Sequence, residues 1–240
     1  MLQSGNTERI FMHSFFTDHI APAGSPLTLT KRESDHLFKT LRARKDDLVE
    51  LLDGRGTRAE AIVGADRTLT VTSVEHTPEP AGKLRLYCAP PRKAKFDVLL
   101  KQAAELGVWE IQLVKFERNV SQPEGSDRWQ ILLQEGCKQS KNPYLPQVHP
   151  PVELSEMFRM IAERRESAWF GAIRTASNTP EHVHDYAWIV GPEGGFTPAE
   201  EELMQKNGIN PLNLGPYVLR LETAAVCGLA VLRQMMTEAK

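Results

Sequence analysis

The chain has 240 residues, which is enough for two modest domains, each with a core of its own. A formal net charge of −2 argues against a general nucleic-acid binder, because the overall attraction to phosphate is weak. No apolar run approaches the ~20 residues of a membrane-spanning helix, and the N-terminus lacks the pattern of a secretory signal. We therefore expect a cytoplasmic protein without a metal centre, in which Cys88, Cys137 and Cys227 are buried free thiols.

Residues 1–80 predict a small, strand-rich domain similar to a β-barrel. Short alternating runs bounded by turn residues indicate antiparallel strands at residues 48–52, 57–63 and 68–74. One helix is predicted at residues 33–41, with inward positions His36, Leu37 and Leu41. The run PEPAG at residues 78–82 is typical of a linker, so a second domain is predicted at residues 81–240.

The second domain alternates strands with helices. The pattern predicts strands at residues 84–89, 109–114, 168–173, 186–190 and 212–214, with amphipathic helices after most of them. Such an order indicates an α/β domain with a mostly parallel sheet covered by helices. Because ligands of such sheets bind beyond the carboxyl ends of the strands, the loops that follow the strands are the candidate site.

The first unusual loop is GPEGGFTPAE at residues 191–200. Its glycines allow a close backbone approach to a ligand, and Thr197, Pro198 and Glu200 predict a capped helix start. A phosphate loop is one interpretation, but Glu193 adds negative charge and the usual phosphate-loop spacings are missing. A neutral or cationic ligand fits better, and a purely structural turn is the third interpretation.

The second unusual stretch, at residues 215–232, is a loop followed by the last helix and reads GPYVLRLETAAVCGLAVL. Arg220 and Glu222 fall at the start of the last helix, where a carboxylate is favoured by the helix dipole. Glu222 is therefore either a capping residue paired with Arg220 or part of the chemistry. The small residues of the following apolar helix suit either a core helix or a homodimer interface.

Basic residues cluster at positions 39–45, 92–95 and 138–141, which predicts a local RNA-binding face despite the acidic total.

The two unusual loops and several other segments of the chain resemble the RsmE family of 16S ribosomal RNA uridine-N3 methyltransferases, members of the SPOUT superfamily. GPEGG followed by LGPxVLRxETA is specific to that family, and weaker matches extend over nearly the whole chain. They include LLDGRG at residues 51–56, KFDVLLKQAAELGV, the ER-x-V-S element at residues 117–121 and KQSKNPYLP at residues 138–146. The resemblance implies a C-terminal trefoil-knot domain, a PUA-like N-terminal RNA-binding domain, a homodimer and S-adenosylmethionine (SAM) as cofactor.

The resemblance also implies the site residues. The cofactor-binding set is Phe170, Gly171, Ala172, Gly191, Pro192, Glu193, Gly194, Gly195, Leu214, Gly215, Tyr217, Leu219, Thr223 and Ala224. The RNA-binding set, for 16S rRNA or the small ribosomal subunit, is His36, Lys39, Arg42, Arg44, Arg92, Lys93, Lys95, Lys101, Arg118, Lys138, Ser140, Lys141 and Asn142.

The catalytic pair implied by the resemblance is Arg220 and Glu222. Arg220 would polarise the uracil or bind the adjacent phosphate, and Glu222 would act as the base or fix Arg220. The family commonly has a basic residue at the position of Tyr217, a threonine at that of Leu221 and Gly-Arg after the serine of KQSKN, which bears on RNA affinity. Two alternatives stay open: a SPOUT enzyme with another target nucleotide, and a non-catalytic RNA-binding assembly factor.

Overall fold

A computed structural model describes residues 12–119, 127–173 and 179–236. The last two residues of the ER-x-V-S element and the N-terminal residues 1–11 lie outside these ranges. The chain separates into two units, the first formed by Met1–Glu79 with Cys137–Leu145, and the second by Pro80–Gly136 with Pro146–Lys240. The sequence placed residues 137–145 in the second domain, whereas in the structure this segment groups with the first unit.

The first unit contains a five-stranded sheet of order β1-β3-β4-β5-β2. Its strands are β1 Ser14–Phe16, β2 Pro26–Leu27, β3 Leu48–Leu52, β4 Thr57–Val63 and β5 Leu69–His76. β1 runs parallel to β3 and the other pairs are antiparallel. Alternate side chains of β4 and of the first half of β5 are buried, as the period-two pattern predicted, whereas β3 is buried at four consecutive positions, residues 49–52; the core includes Phe15, Leu51 and Val71.

The predicted helix at residues 33–41 differs in detail from the structure. Helix α1 spans Lys31–Asp35 and continues as a π-helical turn over His36–Thr40, closed by a hydrogen bond from the Leu41 N–H to the His36 carbonyl. A π turn holds more residues than an α turn, so inward positions inferred from a 3.6-residue period shift. The inward prediction for His36 is wrong: its side chain is exposed, and Leu37 is the buried one.

The second unit contains a six-stranded, all-parallel sheet of order β11-β9-β10-β6-β7-β8. The strands are β6 Leu84–Cys88, β7 Glu110–Lys115, β8 Gln147–Glu153, β9 Ser167–Gly171, β10 Tyr186–Val190 and β11 Asn210–Leu212. The helices are α2 Lys93–Glu105, α3 Asp127–Ser140, α4 Leu154–Arg164, α5 Pro198–Lys206 and α6 Leu221–Met235, and the last four residues of α3 group with the first unit. The predicted α/β class with a mostly parallel sheet is confirmed.

Helix α6 packs against α2 and against the central strands β6 and β10. Its Gly228 lies so close to Trp188 of β10 that an added Cβ would stand 2.1 Å from the indole ring. Trp188 is fully buried and donates a hydrogen bond of 3.2 Å from Nε1 to the Ala224 carbonyl. The start of α6 is therefore fixed against the carboxyl half of β10, next to the loops that the sequence singled out.

Several smaller expectations need correction. The strand expected at residues 212–214 lies two residues earlier, and the one expected at 168–173 ends at Gly171. Cys88 and Cys137 are buried as expected, but Cys227 on α6 is only half-buried. In the described ranges no helix is long and apolar enough to cross a membrane, and no cluster of His, Cys, Asp and Glu is suited to a metal ion.

Candidate functional site

The carboxyl ends of β9, β10 and β11 open into a cavity of about 790 Å³ in the second unit. Because the strands are parallel, the three loops that leave them meet at one edge of the sheet, where open α/β sheets bind ligands. In order along the chain these loops contribute Gly171, Ala172 and Ile173; then Val190, Gly191, Pro192, Glu193, Gly194, Gly195 and Phe196; then Leu212, Leu214, Gly215, Tyr217, Val218, Leu219 and Arg220.

The loop after β10 is held from both sides. At its far end Thr197 caps α5, and Glu200 completes the predicted capping box by accepting from the Thr197 N–H at 2.7 Å. Within the loop Gly195 has φ +71° and donates its N–H to the Pro192 carbonyl at 2.8 Å. A residue with a Cβ is strained at that angle, so the requirement for glycine is conformational.

Arg118, which follows β7, lies against the same loop. Its Nη1 donates to the Gly194 carbonyl at 2.9 Å and to the Phe196 carbonyl at 3.3 Å. Its aliphatic stem contacts Gly194, where an added Cβ would meet Arg118 at 3.3 Å. The preceding Glu117 N–H donates to Glu200 at 2.8 Å. Arg118 therefore fixes the loop through the backbone, and its contact with RNA stays a prediction.

Arg118→Met keeps the aliphatic stem and removes the guanidinium. Since a net hydrogen bond contributes about 1 kcal/mol, we expect the Gly195 amide to exchange hydrogen roughly fivefold faster in the variant. Amide hydrogen exchange measured on the whole chain checks this. Arg159→Met is the matched control, because Arg159 pairs with Glu156 and Glu163 on the exposed side of α4. Equal exchange at Gly195 in both variants contradicts the assignment.

The loop between β11 and α6 is more open. Gly215 has φ +136° and donates its N–H to Asn213 Oδ1 at 2.8 Å. Tyr217 and Val218 are 81% and 73% exposed, which is unusual for large side chains that line a cavity. Arg220 is the N-cap residue of α6; it is exposed and forms no side-chain hydrogen bond or ion pair with any residue in the described part of the chain.

One interpretation of the sequence paired Glu222 with Arg220, but these two side chains form no ion pair in the structure. Glu222 lies in the first turn of α6, and its Oε2 is 3.4 Å from Lys95 Nζ. The same ammonium group lies 3.5 Å from Glu193 Oε1, in the loop after β10. Lys95 is thus placed at the cavity wall between two carboxylates, and it was missed as a cavity residue because the sequence shows only that it belongs to a basic cluster.

Most residues predicted to bind a cofactor line the cavity. Phe170 and Thr223 do not, since Phe170 is fully buried in β9 and Thr223 is exposed on α6. Phe170 instead packs edge-on against Phe196, at a ring distance of 5.8 Å. Phe196 itself lines the cavity, and its ring fills the space where Gly191 has no Cβ. The structure also adds Glu201, whose pKa is raised by burial, to the lining.

The residues predicted to bind RNA fall into two groups. The exposed ones are His36, Lys39, Arg42, Arg44, Arg92, Lys93 and Arg118, of which Lys39 pairs with Asp35 at 2.8 Å and Arg118 binds the loop after β10. The others form internal contacts. Lys138 lies 3.1 Å from both carboxylate oxygens of buried Glu33, and Lys141 lies 3.1 Å from Glu50.

Three further residues of the predicted RNA-binding set also form contacts within the protein. Lys101 pairs with Glu135 at 2.6 Å, and Asn142 Oδ1 accepts the Tyr144 N–H at 3.0 Å. Ser140 donates its hydroxyl to the Cys137 carbonyl at 3.4 Å. These contacts, like those of Lys138 and Lys141, support the local fold of their own unit.

The sequence of the chain matches a known protein family and individual members of it. The family described as "RNA methyltransferase domain" matches residues 77–233. A ribosomal RNA small subunit methyltransferase E from Synechocystis sp. is 29% identical over 228 residues, covering 88% of this chain and 73% of the relative.

Two solved structures are also similar. The crystal structure of a ribosomal RNA small subunit methyltransferase E from Neisseria gonorrhoeae, bound to SAM, matches with a TM-score of 0.82 and 25% identity over 94% of this chain and 98% of that one. A Legionella pneumophila protein in complex with the bound cofactor SAM matches with a TM-score of 0.81 and 26% identity, over 94% of this chain and 98% of that one.

Proposed function

The chain belongs to the RNA methyltransferase domain family, in the group of ribosomal RNA small subunit methyltransferase E (RsmE) proteins, and on this premise we propose that it methylates 16S rRNA with SAM as the methyl donor. The observation that carries the proposal is the meeting of the two Gly-Pro loops around one cavity at the carboxyl edge of the sheet. Neither loop alone requires that function.

The cavity fits SAM in size and chemistry. A volume of about 790 Å³ lies within the range of small-molecule sites, and glycines from all three loop regions let backbone groups approach a ligand. When bound, SAM supplies a methyl group on a cationic sulfonium. The wall carries charges of both signs, Glu193 and Glu201 on one side of the balance and Lys95, Arg118 and Arg220 on the other, which suits a ligand that is itself both cationic and anionic, as SAM is.

The proposed target is N3 of a uridine in the decoding region, on the assembled small subunit. Uridine N3 carries a proton, so the proton must leave as the nitrogen electron pair forms the new bond to the methyl carbon. The carbon–sulfur bond breaks with its electrons going to sulfur, which gives a neutral thioether and N3-methyluridine. Glu222 accepts the proton, and Arg220, exposed at the mouth with no protein partner in the described ranges, stabilises the uracil anion or binds the adjacent phosphate.

The remaining parts of the proposal concern architecture and partners. The first unit is assigned as a PUA-like RNA-binding domain with His36, Lys39, Arg42 and Arg44 on its RNA face, and exposed Arg92 and Lys93 contribute from the second. The loop that enters α6 is assigned to a trefoil knot. α6 and α2, which expose Val231 and Val98, are assigned to a homodimer interface. The reaction takes place in the cytoplasm.

Mass spectrometry of rRNA nucleosides from a strain lacking the gene tests the target. Loss of 3-methyluridine, restored by the wild-type gene, is the expected result. Loss of another methylated nucleoside identifies a SPOUT enzyme with a different target. An unchanged nucleoside profile, with no SAM binding by calorimetry, identifies a non-catalytic assembly factor and overturns the proposal.

A further inference from the structure

Lys95 joins three separate segments at the cavity wall. It lies in the first turn of α2, while Glu193 belongs to the loop after β10 and Glu222 to the first turn of α6. Its Nζ is 3.5 Å from Glu193 and 3.4 Å from Glu222, and the three side chains are between 20% and 31% exposed. A partly buried cation between two carboxylates is screened less than a surface ion pair.

The position of Lys95 is not explained by the stability of its own helix. The N-terminal turn of a helix carries partial positive charge, so a cation there is disfavoured. α2 also begins without a side-chain cap and without an acidic residue in its first turn. The favourable interactions of Lys95 therefore come from the two carboxylates of other segments.

One carboxylate oxygen of Glu222 has no hydrogen-bond donor among the described residues. This oxygen, Oε2, is buried and forms no aligned hydrogen bond with any atom in the described ranges, although the Lys95 ammonium is within ion-pair distance. A buried carboxylate oxygen without a hydrogen-bond donor is costly unless something compensates for it. Here the compensation is the charge of Lys95, and the lone pairs of the oxygen stay free to accept.

We propose that Lys95 is a positioning residue for methyl transfer, which holds Glu222 in its working geometry and is itself held by Glu193. This inference rests on the proposed function. When Glu222 takes up the proton from N3, its charge is lost and its attraction for the lysine falls. The ion pair with Glu193 keeps the ammonium in place, so Glu222 returns to the same position when it releases the proton. Lys95 thereby acts inside the site and is not part of the RNA face.

Two variants test this against an RNA-contact role. Lys95→Met removes the charge and keeps the stem, and Lys95→Arg restores the charge. With the whole chain, SAM and small subunits as substrate, we expect Lys95→Met to lower the single-turnover rate by about 10- to 100-fold. The dissociation constant for SAM and the KM for the subunit should stay within about threefold, and Lys95→Arg should recover most of the rate. Lys206→Met, which removes an exposed partner of Glu202, is the control and should match the wild type.

Each other outcome overturns the inference. A raised KM with an unchanged single-turnover rate makes Lys95 an RNA contact. Weaker SAM binding with an unchanged rate at saturation makes it a cofactor contact. A wild-type rate in Lys95→Met removes it from the site altogether. If Lys95→Met fails to fold, Lys95→Gln replaces it, with the same expected fall in rate. Failure of the proposed function is seen separately, because the wild-type chain itself then transfers no methyl group.

Discussion

Glu222→Gln is expected to lower methyl transfer to uridine N3 by about 10²- to 10⁴-fold, the usual contribution of a general base. Glutamine keeps the size and the hydrogen-bonding oxygen of the side chain but accepts no proton at neutral pH. Because Glu222 does not line the cavity itself, SAM affinity should be nearly unchanged. Single-turnover transfer of labelled methyl groups to small subunits measures the rate, and calorimetry measures the affinity.

The control separates a catalytic carboxylate from a helix-capping one. Glu202→Gln on α5 removes an exposed carboxylate paired with Lys206 and should leave the rate unchanged. If Glu222 only interacts with the dipole of α6, its replacement lowers stability by at most about 1 kcal/mol and leaves turnover intact. Near-normal turnover in both Glu222→Gln and Arg220→Ala would remove the two residues from the mechanism.

Local signals explain why parts of the site were readable from the sequence. The capping box of Thr197 and Glu200 and the strand Tyr186–Val190 depend on residues close together in the chain, and both occur as expected. The position of the cavity followed from the alternation of strands and helices and from the two unusual loops, because parallel strands bring the loops that follow them to one edge.

The intramolecular partners of several charged residues were missed because those partners are distant in sequence. Lys138 lies in a basic run, yet its ammonium contacts Glu33, which is 105 residues away. Lys95 and Arg118 were likewise read as surface cations, but one joins two carboxylates and the other binds loop carbonyls. Composition gives the sign of a charge, whereas the groups it meets are set by tertiary structure.

Two of the strands that the sequence did not predict, β8 and β2, share a different cause. β8 contains Pro150 and Pro151, and β2 begins at Pro26, residues that argue against a strand in any sequence pattern. Both strands lie at the edge of their sheets, where one side of the backbone needs no sheet hydrogen bonds and proline is tolerated. Strand position in a sheet is a tertiary property, so a local pattern does not reveal it.

Gly228→Ala is expected to destabilise the second unit by about 3 kcal/mol or more, at the upper end of the cost of overpacking a core. The added Cβ would stand 2.1, 2.3 and 2.5 Å from three atoms of the Trp188 indole, which is rigid and fully buried. Helix propensity works in the opposite direction, because alanine is favoured over glycine within a helix by about 1 kcal/mol. A loss of stability in this variant therefore cannot come from the helix propensity of the new residue. Denaturant unfolding of the whole chain measures the change.

The indole also connects stability to the site. Trp188 donates to the carbonyl of Ala224, a cavity residue, so displacing the ring moves the first turns of α6. Trp188→Phe alone should destabilise the unit, because that hydrogen bond and some buried area are lost. The smaller ring, however, leaves room for the methyl group that Gly228→Ala adds. The double variant should therefore be more stable than the sum of the two single changes predicts, by about 0.5–3 kcal/mol. Strict additivity would show that Trp188 is not the group that excludes a side chain at Gly228.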